Sequence, residues 1–333
     1  MFIRSHWRYI SLLIVFQISK GNFRYLGDYN EKARLLSVCV NETISQGRSY
    51  SFGDIEISFC SFFRTSSFSE SGGVIYIITG SLGISNSMFF NCSSSLNGGA
   101  IYFDSSTIQI NRICGNCCKA VSGQFLFLRT QNNNIGMISV SYCCNNGIGS
   151  YSINIFNGNN RLDDSNSSFN YCNQVSGFGV SSPSSFSSSM CTIAHTSVKD
   201  SLVLLFVYFN STISYTNIVS NHSPTHGVIY LDRNPSVKMM YCIFSKNSNH
   251  LFSVRQGNLC VYHSFIEHNS NSLSTSASVS TNNVTLTITQ THFLTFFSSY
   301  FCPTDYTKLD IITKSIYYQN KMRLISFLTF ALN

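Results

Sequence analysis

Charge is scarce in this chain of 333 residues: Asp, Glu, Lys and Arg make up 11% of it, against about 25% in ordinary soluble domains. Ser, Asn and Thr replace Lys and Glu at the surface. The net charge of +7 includes Arg4, Arg8 and Lys20 at the start of the chain. The remaining charge is too diffuse to indicate nucleic acid binding.

Proline and long apolar runs are also scarce. Only four prolines occur, which fits a fold built on β ladders because proline cannot donate a backbone hydrogen bond. The apolar runs 10–18 and 324–332 have nine residues each, too few for a helix that spans a membrane. The first run follows two arginines and predicts a secretory signal peptide over 1–21, or a short hydrophobic anchor. The second predicts a C-terminal cap or tail over 298–333, or a truncated membrane segment.

A short motif repeats every 22–28 residues. The run 72–77 (GGVIYI) recurs 26 residues later as 98–103 (GGAIYF), and each unit contains an apolar residue, two spacers, then Asn or Cys. Apolar and polar residues alternate between turns of Ser, Asn and Gly, without a sustained helical period. Units this small cannot bury their own apolar faces and must stack. The sequence therefore predicts an all-β fold, a single-stranded right-handed parallel β-helix of about ten coils over 35–297.

Four of the thirteen cysteines follow the same period, with spacings of 26, 26 and 28 residues. Successive rungs of a β-helix lie about 4.8 Å apart, so these cysteines predict one interior line: Cys92, Cys118, Cys144 and Cys172. Three states are open for this line, namely thiols packed as small apolar groups, rung-to-rung disulfides, and a metal site. Cys114 and Cys117 have the spacing of a zinc knuckle, but no second pair accompanies them.

Asparagines recur at the same place in the repeat, where stacked amides can bond from rung to rung. The predicted interior asparagines are Asn91, Asn116, Asn221, Asn247 and Asn269. Asn-x-Ser/Thr sequons also occur, of which Asn91 and Asn221 fall on this line and are poor candidates for modification. The predicted glycosylation sites are therefore Asn41, Asn166, Asn210 and Asn283.

Residues that could carry catalysis do not converge in the sequence. Asp163 and Asp164 are adjacent, but one rung away lie Cys and Ser rather than the second carboxylate that glycoside hydrolysis needs. This acidic pair is interpreted as a solvated turn. The histidines lack Cys or carboxylate partners at ligand spacing and are interpreted as turn and surface residues: His222, His226, His263 and His268. No catalytic, cofactor-binding or metal-ligating residue is assigned, and no cofactor is expected.

The repeat resembles a known family. Gly98-Gly99-Ala100-Ile101 and Phe244-Ser245-Lys246-Asn247, with the variant Gly72-Gly73-Val74-Ile75, are similar to the two motifs of the polymorphic outer membrane protein repeat. The version rich in Cys, Ser, Asn and Phe looks like the large families of such surface proteins in trichomonad parasites. The resemblance covers most of 35–297 and implies a right-handed β-helix, surface exposure and a role in adhesion. Later repeats depart from the family because they lose the Gly-Gly pair.

These observations predict a non-enzymatic surface or secreted protein that binds host-cell glycans or surface proteins through one face of the solenoid. One alternative is a carbohydrate-active enzyme of the pectin lyase type. Another is a structural or degenerate family member without a ligand. Membrane association and oligomeric state stay open.

Overall fold

The computed structural model describes 36–38, 48–49, 54–58, 60–67, 71–144, 149–199, 203–207, 209–247, 250–267 and 279–284. All of these belong to the unit Arg34–Asn333, and none of them lies in a helix. The predicted signal peptide over 1–21 and the tail over 298–333 lie outside the described residues, as do Asn41, Asn269 and His268.

The described strands form three parallel faces, which the chain visits in the order 1, 2, 3 within each rung. Face 1 contains Arg48–Ser49, Ile75–Ile77, 101–105, 126–130, Tyr151–Phe156, Val175–Ser181, Leu204–Val207, Ile229–Asp232 and Phe252–Val254. Face 2 contains Leu36–Val38, Ile55–Ser58, 81–85, 107–111, 132–136, Asn159–Asp163, Ser185–Ser189, Ser211–Ser214, Ser236–Met240, Asn258–Tyr262 and Val279–Asn282. Face 3 contains Ser61–Phe63, 87–90, 113–116, 138–141, Asn166–Ser168, Thr192–Ala194, Asn217–Val219, Ile243–Ser245 and Phe265–Ile266.

Three strands are long enough to continue through more than one face: Ser81–Phe90, Ile101–Asn116 and Leu126–Ser141. Two short pairs lie beside face 3. They are Ser66–Ser67 with Ser93–Ser94, and Tyr171–Cys172 with Ser197–Val198.

Every strand pair is parallel, and partner residues on neighbouring rungs are 20 to 27 residues apart. The chain thus forms a β-solenoid of about eight turns, which confirms the predicted all-β parallel β-helix. The number of turns is lower than the expected ten because complete three-face turns are described only between Arg48 and Ile266.

Alternation of side chains along each strand builds the core. In the first strand of this core, Ile55 and Ile57 are buried and Glu56 between them is exposed. Identical positions stack from rung to rung, as Phe62 does on Phe89 at 5.0 Å between ring centroids. Because every rung adds apolar side chains to the same interior, the buried residues form one cluster from Ile55 to Ile266.

Two corners of each rung are made by a single residue in the left-handed backbone conformation, with φ between 46° and 56°. The corner between faces 2 and 3 is formed by Asn86, Arg112, Met137, Asp164, Met190, Tyr215, Tyr241, His263 and Asn283. The corner after face 3 is formed by Arg64, Asn91, Cys117, Tyr142, Phe169, His195, Ser220 and Lys246. Three of these seventeen corner residues are Asn and none is Gly, although such a conformation costs a larger residue free energy. Rung-to-rung backbone bonds, such as Asn91 N–H to Asn116 O at 2.9 Å, hold most of these corners in place.

The repeated Gly-Gly pair has a steric cause. Gly98 has φ +65°, and a Cβ atom on Gly99 would lie 2.0 Å from the carbonyl oxygen of Gln124 on the next rung. The first glycine therefore supplies the turn, and the second leaves room for the neighbouring backbone.

Candidate functional site

The residue that follows each corner after face 3 points into the solenoid, and these residues form one interior column. From the first rung to the last, the column contains Thr65, Cys92, Cys118, Cys143, Asn170, Thr196, Asn221 and Asn247. Its register is fixed by Phe90 opposite Asn116 and Ser93 opposite Lys119, and by hydrogen bonds along the column. Cys92 and Cys118 of the predicted cysteine line therefore belong to the same column as Asn221 and Asn247 of the predicted asparagine line.

The assignment of Cys144 and Cys172 to this column is wrong. The rung after Cys118 is one residue shorter than expected, since Asn116 pairs with Ser141, so Cys143 takes the interior place. Cys144 instead forms a disulfide with Cys172, at a Cα–Cα distance of 4.9 Å. Of the adjacent residues Cys143 and Cys144, the first is therefore a packed thiol and the second is disulfide-bonded.

Cys92 and Cys118 are free, buried thiols. Burial raises the pKa of both well above the usual value for cysteine, so they stay protonated and pack as small apolar groups. Cys114 is disulfide-bonded, which removes it from any zinc knuckle with Cys117. Among the described residues, no group of three or more His, Cys, Asp and Glu side chains is placed to hold a metal ion.

Asn221 and Asn247 stack as predicted, with the Asn221 Nδ2 donating to the Asn247 Oδ1 at 3.1 Å. Asn116 is buried in the neighbouring column, where its Nδ2 donates to the Ser141 Oγ at 2.9 Å. The prediction for Asn91 is wrong, because this residue forms the left-handed corner itself and is exposed. Sequence reasoning missed Asn170, which belongs to the column and lies two residues before Cys172.

The predicted glycosylation sites differ in access. Asn210 and Asn283 are exposed. Asn166 is 4% exposed, and its Nδ2 donates to the hydroxyls of Ser139 and Ser168 at 3.3 Å each. A glycan on this side chain is incompatible with the fold, so the prediction for Asn166 is wrong.

Aromatic side chains stack along the outside of both corners. Tyr142, Phe169 and His195 lie with ring centroids 5.2 and 5.1 Å apart and nearly parallel planes. At the other corner, Tyr241 stacks between Tyr215 and His263. Each stack covers the ring faces and leaves mainly the edges in solvent. These columns therefore stabilise the coil and offer few open ring faces to a ligand.

A polar groove of about 650 Å³ crosses four successive rungs at the corner between faces 1 and 2. Its lining consists of Asp104, Ser105, Ser106, Arg129, Thr130, Gln131, Asn132, Asn157, Gly158, Asn159 and Ser184. Since the rungs stack along the solenoid axis, a groove that crosses them runs parallel to that axis. Amides and hydroxyls dominate the lining, and both kinds of group include donors and acceptors.

The charges in the groove are paired. The Arg129 Nη1 lies 3.0 Å from the Asp104 Oδ2 on the preceding rung, and the Tyr102 hydroxyl donates to the same oxygen at 3.2 Å. Burial, and then the charge of Asp104, raise the pKa of Tyr102. Its ring belongs to an outward stack with Tyr76 and Phe127 that borders the groove. The groove therefore carries little net charge.

Two buried amides support the floor of the groove. Asn133 and Asn160 occupy interior positions on successive rungs and are hydrogen-bonded to each other. The Oδ1 of Asn133 accepts from the Thr130 hydroxyl at 2.6 Å, and the Nδ2 of Asn160 donates to the Asn157 carbonyl at 2.7 Å. These interior asparagines fix the backbone of two lining loops.

Carboxylates are sparse near the groove. Asp163 lies outside it, pairs with Arg161 and accepts from the Ser189 hydroxyl at 2.7 Å. Asp163 and Asp164 are both half-buried, and burial, followed by the charge of Asp163, raises the pKa of Asp164. A second depression of about 350 Å³ on the outside of face 2 contains Asp54 and Glu56.

Comparison with known proteins identifies no relative: no protein family, curated protein or solved structure matches this chain. Among the described residues, no helix is long and apolar enough to cross a membrane.

Proposed function

We propose that this protein is a non-enzymatic, secreted or surface-exposed β-solenoid that binds host-cell glycans or surface proteins in the manner of an adhesin. The observation that carries the proposal is the groove between faces 1 and 2. It is concave, lined by amides and hydroxyls, and continuous over four rungs. Ligand sites in proteins are typically concave, with placed polar groups that orient the ligand.

An extracellular location is supported by the Cys144–Cys172 disulfide, since disulfides persist in oxidising compartments. The low charge of the chain agrees with this location. A C-terminally tagged chain is expected outside the cytosol and to begin near Asn22. A cytosolic product that retains Met1 would contradict secretion.

The binding role is tested with the purified full chain. Folded protein is expected to bind epithelial cells of a candidate host, whereas heat-denatured protein at the same concentration is not. Treatment of the cells with glycosidase or protease identifies the class of receptor. Equal signals from folded and denatured protein would contradict the proposal, as would release of sugars when the purified chain is incubated with a polyuronide.

A further inference from the structure

We infer that the groove between faces 1 and 2 binds a neutral, linear oligosaccharide that lies along the solenoid axis. This inference rests on the proposed binding function and assigns it a site and a ligand class. It follows from the direction of the groove, the chemistry of its lining and the way in which its walls are supported.

The direction of the groove favours a polymer. Each of four successive rungs contributes lining residues, from Asp104 on the first to Ser184 on the last. Rungs repeat about every 4.8 Å, which is comparable with the length of one sugar unit in an extended chain. A linear glycan can therefore present similar hydroxyl groups to similar side chains on each rung.

The lining continues as a polar line along the outside of face 2. Thr107, Asn132 and Asn159 are partners on three successive rungs. Asn159 Nδ2 donates to the Asn132 Oδ1 at 3.3 Å, and the Ser185 hydroxyl donates to the Asn159 Oδ1 at 3.0 Å. These bonds orient the amides, so that the exposed side of the line offers both donors and acceptors to sugar hydroxyls.

The charge of the groove favours a neutral ligand. Its one carboxylate, Asp104, is paired with its one guanidinium, Arg129, at 3.0 Å. An anionic chain would need an excess of positive charge on its path, and the lining does not supply this excess.

The walls are rigid rather than adaptable. Gly158 has φ +69°, and a Cβ atom there would lie 2.3 Å from the carbonyl oxygens of Thr130 and Gln131. Together with the buried amides of Asn133 and Asn160, this close approach holds the neighbouring corner loops in one arrangement. A site fixed before binding loses less entropy when a ligand enters.

An extended peptide fits the groove less well. Peptides that add a strand need a free sheet edge, and peptides that insert side chains need apolar pockets. Within the groove the strands flanking the corner are already paired on successive rungs, as Arg129 is with Asp104 and Phe156. The lining is polar, so it offers the hydroxyl chemistry of a sugar chain rather than pockets for apolar side chains.

The test compares two variants, Gln131→Trp, which fills the groove with a larger side chain, and Gln256→Trp, which makes the same substitution outside it. Gln131 is exposed and lines the groove, and Gln256 is exposed at the same corner on a rung outside it. The purified full chain is titrated by calorimetry with hexasaccharides of β-linked glucose, xylose and mannose. An oligogalacturonate and a sulfated glycosaminoglycan provide the acidic comparison. The expected result is binding of at least one neutral hexasaccharide, insensitive to salt, with about a tenfold or greater loss in Gln131→Trp and no change in Gln256→Trp.

Three outcomes would overturn the inference: no neutral hexasaccharide binds, only the acidic chains bind, or Gln131→Trp binds as tightly as the unmodified chain. The cell-binding assay separates these failures from failure of the proposed function. Cell binding that persists in Gln131→Trp would retain a binding role and move the site away from the groove. A peptide receptor would appear as cell binding that protease abolishes and glycosidase leaves intact.

Discussion

The backbone N–H of Cys118 donates to the Sγ of Cys143 on the next rung, at 3.3 Å. In later rungs the same bond is made to amide oxygens, as from Cys143 N–H to the Asn170 Oδ1 at 2.8 Å. A cysteine sulfur and an asparagine amide oxygen can therefore accept the same interior backbone hydrogen bond. Each turn leaves an interior N–H after the left-handed corner, and an unsatisfied buried donor costs about 1–3 kcal/mol.

This arrangement predicts which cysteines react. When the oxidised chain is unfolded in denaturant and alkylated without reductant, Cys92, Cys118 and Cys143 are expected to be labelled. Cys144 and Cys172 are expected to be protected until a reductant is added. Peptide mass spectrometry distinguishes the vicinal residues. Protection of Cys143 together with labelling of Cys144 would show that the register of the interior column is shifted by one residue.

The asparagine end of the column predicts a stability difference. The Oδ1 of Asn221 accepts from the Thr196 N–H at 3.1 Å and from its hydroxyl at 2.9 Å. Replacing this amide with Asn221→Leu leaves both donors buried and unpaired, so the free energy of unfolding is expected to fall by about 1–3 kcal/mol. Denaturant unfolding followed by circular dichroism measures the change.

The matched control is Asn91→Gly at an exposed corner with φ 51°. Glycine adopts this conformation without strain, so little change in the unfolding midpoint is expected. If Asn221→Leu and Asn91→Gly lowered the free energy of unfolding equally, the amide would be equally important at the interior and corner positions, contrary to this prediction.

The sequence predicts the fold well because its signals are local and repeated. Alternation and the 26-residue spacing between 72–77 and 98–103 indicate the class of the fold and the order of its turns. The interior column was harder to predict because rung length varies from turn to turn. The rung that follows Cys118 is one residue shorter than the rung before it. This difference places Cys143, rather than Cys144, in the interior column.

The groove cannot be predicted from the sequence, because its residues do not form a distinctive motif. Ser106, Gln131 and Asn157 come from three rungs and belong to turns rich in Ser, Asn and Gln, which are common along the whole chain. Their proximity follows only from the stacking register. A better signal was the presence of Asn133 and Asn160 at positions where other rungs have Leu82 and Ile108, because buried amides usually satisfy a specific partner.

The residues that follow the corner between faces 2 and 3 form a second interior column, which includes Cys191 and Cys242. This column predicts that the stability of the fold decreases at alkaline pH. Burial raises the pKa of Cys191 and of Cys242 to about 12, from an ordinary value of 9.0. Because the folded-state pKa is higher than the unfolded one, the stabilising contribution is complete below about pH 9 and declines as the pH rises towards 12. Urea unfolding midpoints measured across this range are expected to fall.

Serine is a suitable replacement because Ser165 and Ser264 occupy the same column, as the backbone bonds to their hydroxyls show. The Cys191→Ser, Cys242→Ser double variant is therefore expected to fold and to lose part of the alkaline decline. If the urea unfolding midpoint of this variant falls with pH as steeply as that of the unmodified chain, other titrating groups cause the decline.

The Gly-Gly repeat gives the sharpest steric prediction. A Cβ atom on Gly99 would lie 2.0 Å from the carbonyl oxygen of Gln124 and 2.7 Å from that of Lys119, both backbone atoms of the next rung. Gly99→Ala must separate two rungs locally, and forced overpacking of this kind typically costs about 1–3 kcal/mol. The chain is expected to show a lower unfolding midpoint in denaturant.

Gly136 provides the comparison, since a Cβ atom at that position meets nothing within 4 Å. Gly136→Ala is expected to change the free energy of unfolding by no more than about 0.5 kcal/mol, or to raise it slightly because alanine restricts the unfolded chain. Both variants add one methyl group to a strand-rich chain, so a difference between them isolates the contact with the next rung. If Gly99→Ala were as stable as Gly136→Ala, the backbones at Gly99 and Gln124 would not approach as closely as the stacking of the motif requires.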